Sequence, residues 1–266
     1  MRRLALLALS ALMLLPLGGG AVSASVLPRV GTIAYGGDVS WPNCPKGMGI
    51  PTRPTLGLPM PTAAAQFVVL GLTNGPAYTP NPCLASQVAW VKARHLWAGA
   101  YAVASYPLAW QVTRYGGSGT APQRLYRAGF AQAKINVDNM HRAGLRPPMV
   151  WVDVEPVRSA PWSGKPAANN YVINGVVAGY RAAGLRVGFY SYASGWKQIT
   201  GGRRAGTVPT WVPSGGDVRS GAEARCRQRS FSGGPVWLGQ WTANDRDHDI
   251  ACGIVTRRLP LMFAAT

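Results

Sequence analysis

The sequence predicts an α/β protein, namely a single irregular TIM-like β/α barrel in which helices are missing late in the ring. Three observations predict it. Eight short apolar segments are typical of strands, helical segments separate several of them, and no long polar linker divides the 266 residues. Strands that alternate with helices form right-handed crossovers and a parallel sheet. The alternative is an open doubly wound sheet, but Gly36-Gly37 lies inside the first strand rather than in a turn after it.

The first 24 residues have the composition of an export signal. Arg2 and Arg3 precede an apolar run over residues 4–17, and small residues follow up to Ala24. This pattern predicts a signal peptide over residues 1–24 and a mature domain over residues 25–266, secreted or associated with the cell wall. An uncleaved anchor is the alternative. The run is short for a membrane span, so we expect no stable membrane insertion.

The first half of the mature chain is predicted to contain three strands and two helices. The strands are predicted at residues 30–40, 67–74 and 98–106. A proline-rich loop over residues 42–61 follows the first strand. One helix begins with Asn81 as N-cap and continues to about residue 96, and a longer helix covers residues 120–143 before Gly144.

The second half is predicted to contain the other five strands. They are predicted at residues 149–156, 186–192, 208–212, 235–241 and 248–255. A helix over residues 167–183 and a short helix over residues 193–199 separate the first three of these strands. No helix is predicted between the last strands, and for this reason we expect an irregular ring.

The strand over residues 149–156 ends in two carboxylates, although the chain has only nine acidic residues. Asp153 and Glu155 alternate with valines, so both point to the same side of the strand. Burial and mutual repulsion raise the pKa of such a pair, and a carboxylic acid can then stay protonated near neutral pH. The alternative is an ordinary strand end whose acids face a cation or solvent.

Six of the nine acids lie in three short motifs at the ends of predicted strands. These are Asp38, Asp153, Glu155, Asp245, Asp247 and Asp249. The carboxyl ends of barrel strands meet at one rim, so we expect the motifs to converge there. Aromatic residues crowd the same ends and suit a carbohydrate, although packing in the core is the alternative for most of the tryptophans. The aromatic candidates for substrate binding are Tyr190, Tyr192, Trp211 and Trp241.

Four cysteines form an even set, which predicts two disulfides in an exported chain. Of the three possible pairings, the short loops favour Cys44–Cys83 and Cys226–Cys252. The charge is +18, and it is +16 without Arg2 and Arg3. A basic exported protein suits anionic cell-wall polymers, although a general bias towards arginine is an equal alternative. No basic run with interleaved aromatics indicates a nucleic-acid module, and we expect a monomer.

Four motifs give the sequence a family resemblance. They are Gly37-Asp38-Val39-Ser40, Val152-Asp153-Val154-Glu155, Gly188-Phe189-Tyr190-Ser191 and Gly239-Gln240-Trp241-Thr242 with the segment through Asp249. In these motifs the chain resembles the family-25 glycoside hydrolases, the secreted bacterial and phage lysozymes. It is most similar to the glycoside-hydrolase-like domain of exported actinobacterial proteins. The resemblance implies an irregular β/α barrel without cofactor or metal, which cleaves the β-1,4 bond after N-acetylmuramic acid in peptidoglycan.

The resemblance also implies roles for the acids. Glu155 would be the general acid that protonates the leaving oxygen. Asp153 would stabilise the developing positive charge or orient the acetamido group of the substrate. Asp38 and Asp249 would line the subsite and hold those carboxylates in position.

The chain departs from the family pattern near its last motif. Ala251 stands where the family has an asparagine, and Asp247 could take the place of Asp249. Two other functions stay open. One is a non-catalytic module that binds cell-wall carbohydrate on the same scaffold. The other is a metal-dependent hydrolase that uses Asp247, His248 and Asp249, but with three histidines in the chain a two-histidine site is hard to build.

Overall fold

The computed structural model describes residues 33–158, 160–253 and 255–266. The barrel strands are β1 (Tyr35–Val39), β4 (Phe67–Gly71), β5 (Trp97–Val103), β6 (Met149–Asp153), β7 (Arg186–Tyr190), β8 (Thr210–Pro213), β9 (Val236–Ala243) and β10 (Arg246–Ala251). A short ribbon of β2 (Gly49–Ile50) and β3 (Arg53–Pro54) lies outside the ring. The helices are α1 (Leu84–Lys92), α2 (Ala109–Gly116), α3 (Ala121–Arg142), α4 (Pro166–Ala182), α5 (Ala193–Thr200), α6 (Arg219–Arg225) and α7 (Val255–Met262).

The eight strands close into a barrel in the order β1-β10-β9-β8-β7-β6-β5-β4, so the predicted fold class is confirmed. Neighbouring strands from β4 to β9, and β1 with β4, pair in parallel. The exception is β10, which is antiparallel to both β9 and β1. The β9–β10 hairpin has no helix, as expected late in the ring. The expectation was wrong for the preceding connection, where α6 lies between β8 and β9.

Several element boundaries differ from the predicted ones. The first helix begins at Leu84 rather than next to Asn81. The Asn81 side chain accepts a hydrogen bond from the Cys83 backbone at 3.1 Å and donates to the Gly71 carbonyl at 2.8 Å. These bonds hold Asn81 in a turn that joins β4 to the helix. The sequence analysis missed α2 and α7, and α7 begins where the last strand was expected to end.

The core has two layers, and β6 contributes to both. Met149 and Trp151 point into the barrel interior, while Val150 and Val152 pack between the barrel and the helices. Gly188 makes room for the Trp151 ring, because a Cβ at that glycine would lie 2.3 Å from a ring atom. The same alternation directs Asp153 towards the barrel axis at the carboxyl end of β6.

The structure contains the two disulfides that the sequence analysis favours. Cys44–Cys83 ties the proline-rich loop to the start of α1, and Cys226–Cys252 ties the end of α6 to the segment after β10. The predicted signal peptide over residues 1–24 lies outside the described residues. Among the residues that the structure describes, no helix is both long enough and apolar enough to cross a bilayer.

Candidate active site

A cleft with a volume of about 630 Å³ opens at the carboxyl ends of the barrel strands. Five of its lining residues are acidic. They are Asp38, Asp153, Glu155, Asp217 and Asp247. A rim that receives side chains from several strands is where β/α barrels place their sites. The convergence expected from the sequence motifs therefore occurs, in a protein whose overall charge is strongly positive.

Asp153 and Glu155 lie on the same wall of this cleft. Asp153 is the last residue of β6, and Glu155 follows in the loop. The alternation of the strand continues past its end, because the Val154 backbone still donates to the Tyr190 carbonyl at 2.9 Å. Val154 is therefore buried in the outer core layer, and the two carboxyls share the inner side.

Asp38 is held by a chain of hydrogen bonds across the cleft floor. The Tyr190 hydroxyl donates to Gln240 Oε1 at 2.8 Å, and Gln240 Nε2 donates to Asp38 Oδ2 at 2.7 Å. These bonds join β1, β9 and β7, which are not neighbours in the ring. The network fixes the Asp38 carboxyl and leaves the Tyr190 ring as part of the cleft wall.

The two aspartates of β10 occupy different depths. Asp247 pairs with Asp38 and lines the cleft, and Thr242 Oγ1 donates to its Oδ1 at 2.7 Å. Asp249 is fully buried beneath the floor, where Trp211 Nε1 donates to its Oδ1 at 2.8 Å. Asp247 thus takes the lining position that the sequence analysis gave to Asp249, which does not line the cleft.

Burial raises the pKa of five carboxyls in this region, namely Asp38, Asp153, Glu155, Asp247 and Asp249. For Asp38 and Asp249 burial raises the pKa well above the ordinary value, and the charge of Asp247 raises both further. The charge of Asp249 also raises the pKa of Asp38. The surroundings beneath the cleft therefore disfavour the ionised form of both carboxyls.

The catalytic candidates titrate together. Burial raises the pKa of Asp153 well above its ordinary value, and the neighbouring Glu155 raises it further. Burial and then Asp247 raise the pKa of Glu155, whereas Arg53 on the β2–β3 ribbon lowers it. A basic residue of the proline-rich loop therefore opposes the cleft acids in setting the acidity of Glu155.

Two sequence comparisons find lysozymes and lysozyme-like proteins. The family model described as "Lysozyme-like protein 1" matches residues 120–225. The "Probable GH family 25 lysozyme 4" of Dictyostelium discoideum is 37% identical over 73 residues, which is 27% of this chain and 33% of that protein. The chain thus aligns with about a third of the length of that relative. The chain is similar to the family-25 lysozymes.

Solved lysozyme structures share the fold. The bacterial lysozyme from Streptomyces coelicolor has a TM-score of 0.58 and 20% identity, covering 87% of this chain and 98% of that one. The family GH25 lysozyme from Aspergillus fumigatus has a TM-score of 0.59 and 19% identity, covering 88% and 100%. The resemblance that the motifs indicate is thereby confirmed, and its narrower form, to exported actinobacterial proteins, stays a prediction.

The aromatic candidates have different positions in this lysozyme-like cleft. Tyr190, Trp211 and Trp241 line it. Trp211 is buried in the floor, with its ring edge-on to Tyr190 at a centroid distance of 4.7 Å, and Trp241 stacks on His248 at 5.0 Å. Tyr192 is exposed beside the cleft and lines a separate small cavity with Arg225 and Arg229. Its role in binding substrate stays a prediction.

Sequence reasoning missed four residues of the site. Tyr101, Asp217 and Gln240 line the cleft, and Arg53 acts on Glu155. Asp217 carried a usable signal, since it is an acid that follows a strand, as Glu155 is. Gln240 lies inside one of the quoted motifs, but no role was assigned to it.

The metal-dependent alternative finds no support in the side-chain geometry. His248 Nδ1 hydrogen-bonds to the Tyr35 hydroxyl at 2.7 Å, and its Nε2 lies 3.1 Å from the Ala243 carbonyl. Both ring nitrogens thus have protein partners. Within the described part of the chain, no three His, Cys, Asp or Glu residues are grouped to hold a metal ion.

Proposed function

We propose that this protein is a glycoside hydrolase that cleaves β-1,4 bonds of bacterial cell-wall peptidoglycan. The observation that carries the proposal is the placement of Asp153 and Glu155 on one wall of an open cleft that Asp38 and Asp247 also line. A glycosidase needs a carboxylic acid and an anionic partner beside the scissile bond. The similarity to lysozymes supports peptidoglycan as the glycan.

Asp153 has an unsatisfied acceptor that suits an N-acetylated sugar. Its Oδ1 is buried without a hydrogen-bond donor among the described residues, and the residue as a whole is 3% exposed. A buried acceptor without a donor is costly, so a ligand N–H at that point would be bound favourably. The acetamido N–H of a 2-acetamido sugar is such a donor, and we assign Asp153 to orient that group and stabilise positive charge.

Substrate binding also favours a proton on Glu155 rather than on Asp153. Burial raises the pKa of both carboxyls, and the charge of Glu155 raises that of Asp153 further. An acetamido N–H that donates to Asp153 favours its ionised form. The resulting negative charge raises the pKa of Glu155, which then carries the proton needed to protonate the leaving oxygen.

The other residues of the cleft would position Asp153, Glu155 and the substrate. Asp38, held by Gln240, would line the subsite next to Asp247, and Asp249 would keep Trp211 and Asp38 in position. Tyr190 and Trp241 offer ring surface to the sugars.

We place the activity outside the cell membrane, because disulfides persist in oxidising compartments. The mass of the exported chain would test removal of residues 1–24.

Substituting the proposed acid tests the function. Glu155→Gln keeps the shape of the side chain but has no proton to give, so wall lysis by the purified protein should fall by at least about a hundredfold. Release of reducing sugar ends from peptidoglycan is the measurement. The matched control is Glu223→Gln, since Glu223 lies on α6 in an ion pair with Arg219 and does not line the cleft.

The same measurements distinguish the hydrolase from the non-catalytic wall-binding module. Lysis at the parental rate by Glu155→Gln contradicts the assigned acid. A parent protein that sediments with cell walls but releases no reducing ends would instead be a non-catalytic wall-binding module.

A further inference from the structure

A second cavity, with a volume of about 530 Å³, lies on the outer flank of the barrel. The C-terminal half of α4 and the loop that precedes β8 form it. Its lining includes Asn174, Arg181, Phe189, Arg203, Arg204 and Val208. Helices of a β/α barrel run opposite to the strands, so Arg181 near the end of α4 lies towards the end of the barrel away from the cleft. The two cavities have no lining residue in common.

Three arginines give this cavity a positive charge without compensation. None of the nine acidic residues lines it. Within the described ranges, the ion pairs are Lys134–Asp138 and Arg219–Glu223, so Arg181, Arg203 and Arg204 have no carboxylate partner there. Arg203 is half-buried, and this partial withdrawal from water lowers the pKa of its guanidinium. A partly desolvated cation in a roomy cavity is a favourable place for an anion.

The central arginine is held in place before any ligand binds. Arg203 Nη1 donates to Asn174 Oδ1 at 2.6 Å, which joins the loop to α4. The loop backbone is fixed as well, because Trp196 Nε1 donates to the Arg203 carbonyl at 2.7 Å and the Arg203 N–H donates to Thr200 Oγ1 at 3.2 Å. An anion that binds here therefore orders little of the protein, which lowers the entropic cost of binding.

We propose that this flank cavity binds a phosphate group, either as the free anion or as the ester of an anionic polymer. A carboxylate has two oxygens and suits a single guanidinium, whereas a phosphate has enough oxygens to accept hydrogen bonds from several arginines together. Val177, Ala178 and Val208 form an apolar wall beside the arginines, which suits the carbon chain of an ester. The inference does not depend on the activity of the cleft.

Titration of the full chain with inorganic phosphate tests the site. At low ionic strength, calorimetry should give saturable binding with one site. Arg181→Gln and Arg203→Gln should each weaken it by about tenfold or more, because each removes charge-assisted hydrogen bonds. Arg181 is exposed on α4, so its substitution should leave the fold intact even if Arg203→Gln disturbs the loop.

A matched control separates a site from diffuse charge. Arg94 lies in the turn after α1, and α1 follows β4 on another side of the barrel. Arg94→Gln removes the same charge, and it should change the affinity for phosphate by less than about twofold. Equal losses in all three variants, or the absence of saturable binding in the parent, would overturn the proposal.

A competition experiment distinguishes the free anion from a polymer ester as the source of the phosphate group. A short glycerol phosphate oligomer that displaces inorganic phosphate and loses affinity in Arg181→Gln supports the site and identifies a polymer ester. Binding of inorganic phosphate that the oligomer does not disturb supports the site for the free anion. Cell-wall lysis measured alongside should be unchanged in Arg181→Gln, since that residue is remote from the cleft.

Discussion

Two side chains act on Glu155 in opposite directions. Arg53 lowers its pKa, and Asp247 raises it. Burial still raises the pKa above the ordinary value, so Glu155 stays protonated to higher pH than an exposed glutamate. The alkaline limb of an activity profile would report the loss of that proton.

Substitutions of these two residues should shift that limb in opposite directions. Arg53→Gln removes a positive charge, which raises the pKa of Glu155 and moves the alkaline limb of kcat/KM to higher pH. Asp247→Asn removes a negative charge and moves the limb to lower pH. The measurement is the initial rate of wall lysis as a function of pH at constant ionic strength.

The conservative control is Arg53→Lys, which keeps the charge and should leave the limb near its parental position. If both Arg53→Gln and Asp247→Asn move the limb in the same direction, Glu155 is not the group that titrates. Because Arg53 also has other contacts, the direction of the shift is the diagnostic quantity, rather than the rate.

At the scale of single residues, the sequence predicted where the carboxylates of β6 lie, but it did not predict the position of Arg53 in the proline-rich loop. Alternation with valines was enough to place Asp153 and Glu155 on one side, and the structure has them there. Arg53 could not be foreseen, because it lies on a short ribbon in an irregular segment, where no periodicity links the position in sequence to a direction in space.

At the scale of elements, the proline-rich loop over residues 42–61 is part of the site. It carries the β2–β3 ribbon and contacts β10, where Arg246 Nε donates to the Met60 carbonyl at 3.0 Å. Asn43 Nδ2 donates to the Pro59 carbonyl at 2.9 Å, which closes the loop on itself. The Cys44–Cys83 disulfide anchors this loop to α1.

Removal of that disulfide should therefore affect both stability and pH dependence. The bond spans 39 residues, so Cys44→Ala with Cys83→Ala should lower the free energy of unfolding by about 3–4 kcal/mol. A looser loop holds Arg53 less firmly near Glu155, so the alkaline limb should also move to higher pH. Urea unfolding and the pH profile of lysis measure the two effects.

The second disulfide supplies the control. Cys226→Ala with Cys252→Ala opens a loop of 26 residues and should lower the free energy of unfolding by a similar amount. The alkaline limb of the activity profile should not move, because the proline-rich loop stays anchored. A Cys44→Ala/Cys83→Ala variant with the parental pH profile would show that the loop does not depend on its disulfide to place Arg53.

Apolar runs were sufficient to find the eight barrel strands, but not the direction of the last one. Asn244 and Asp245 both adopt positive φ, at 53° and 56°, and form the two-residue turn that reverses the chain between β9 and β10. Asparagine and aspartate tolerate this conformation better than most residues, so the dipeptide was a usable hairpin signal. The short α6 lacked an apolar stripe to reveal it, since only Ala222 of its seven residues is buried.

At the scale of the whole molecule, the buried carboxyls link stability to pH. Burial raises the pKa of five of them in the folded protein, namely Asp38, Asp153, Glu155, Asp247 and Asp249. In the unfolded chain they titrate near the ordinary values of 3.8 for aspartate and 4.5 for glutamate. The folded state thus binds more protons than the unfolded state above those values, and stability must fall as pH rises through the raised pKa values.

We therefore expect a higher Tm at about pH 5 than at about pH 7.5, measured by calorimetry in about 0.15 M salt, which screens repulsion among the excess basic residues. Asp38→Asn mimics the protonated aspartate, so it should raise the Tm at the higher pH and flatten the dependence. The control is Asp138→Asn, at an exposed ion pair with Lys134 on α3. A Tm that increases between the two pH values would contradict this account.

The pairing of β1 with β10 has a consequence for any fragment of this protein. These two strands are far apart along the polypeptide, and Asp38 and Asp247 come to lie side by side only when they meet. A product truncated before residue 246 lacks one half of that encounter and exposes unpaired backbone along β1 and β9. Neither a nascent chain nor a proteolytic remnant of that length can assemble the complete cluster of carboxyls, so the cleft is a property of the finished polypeptide alone.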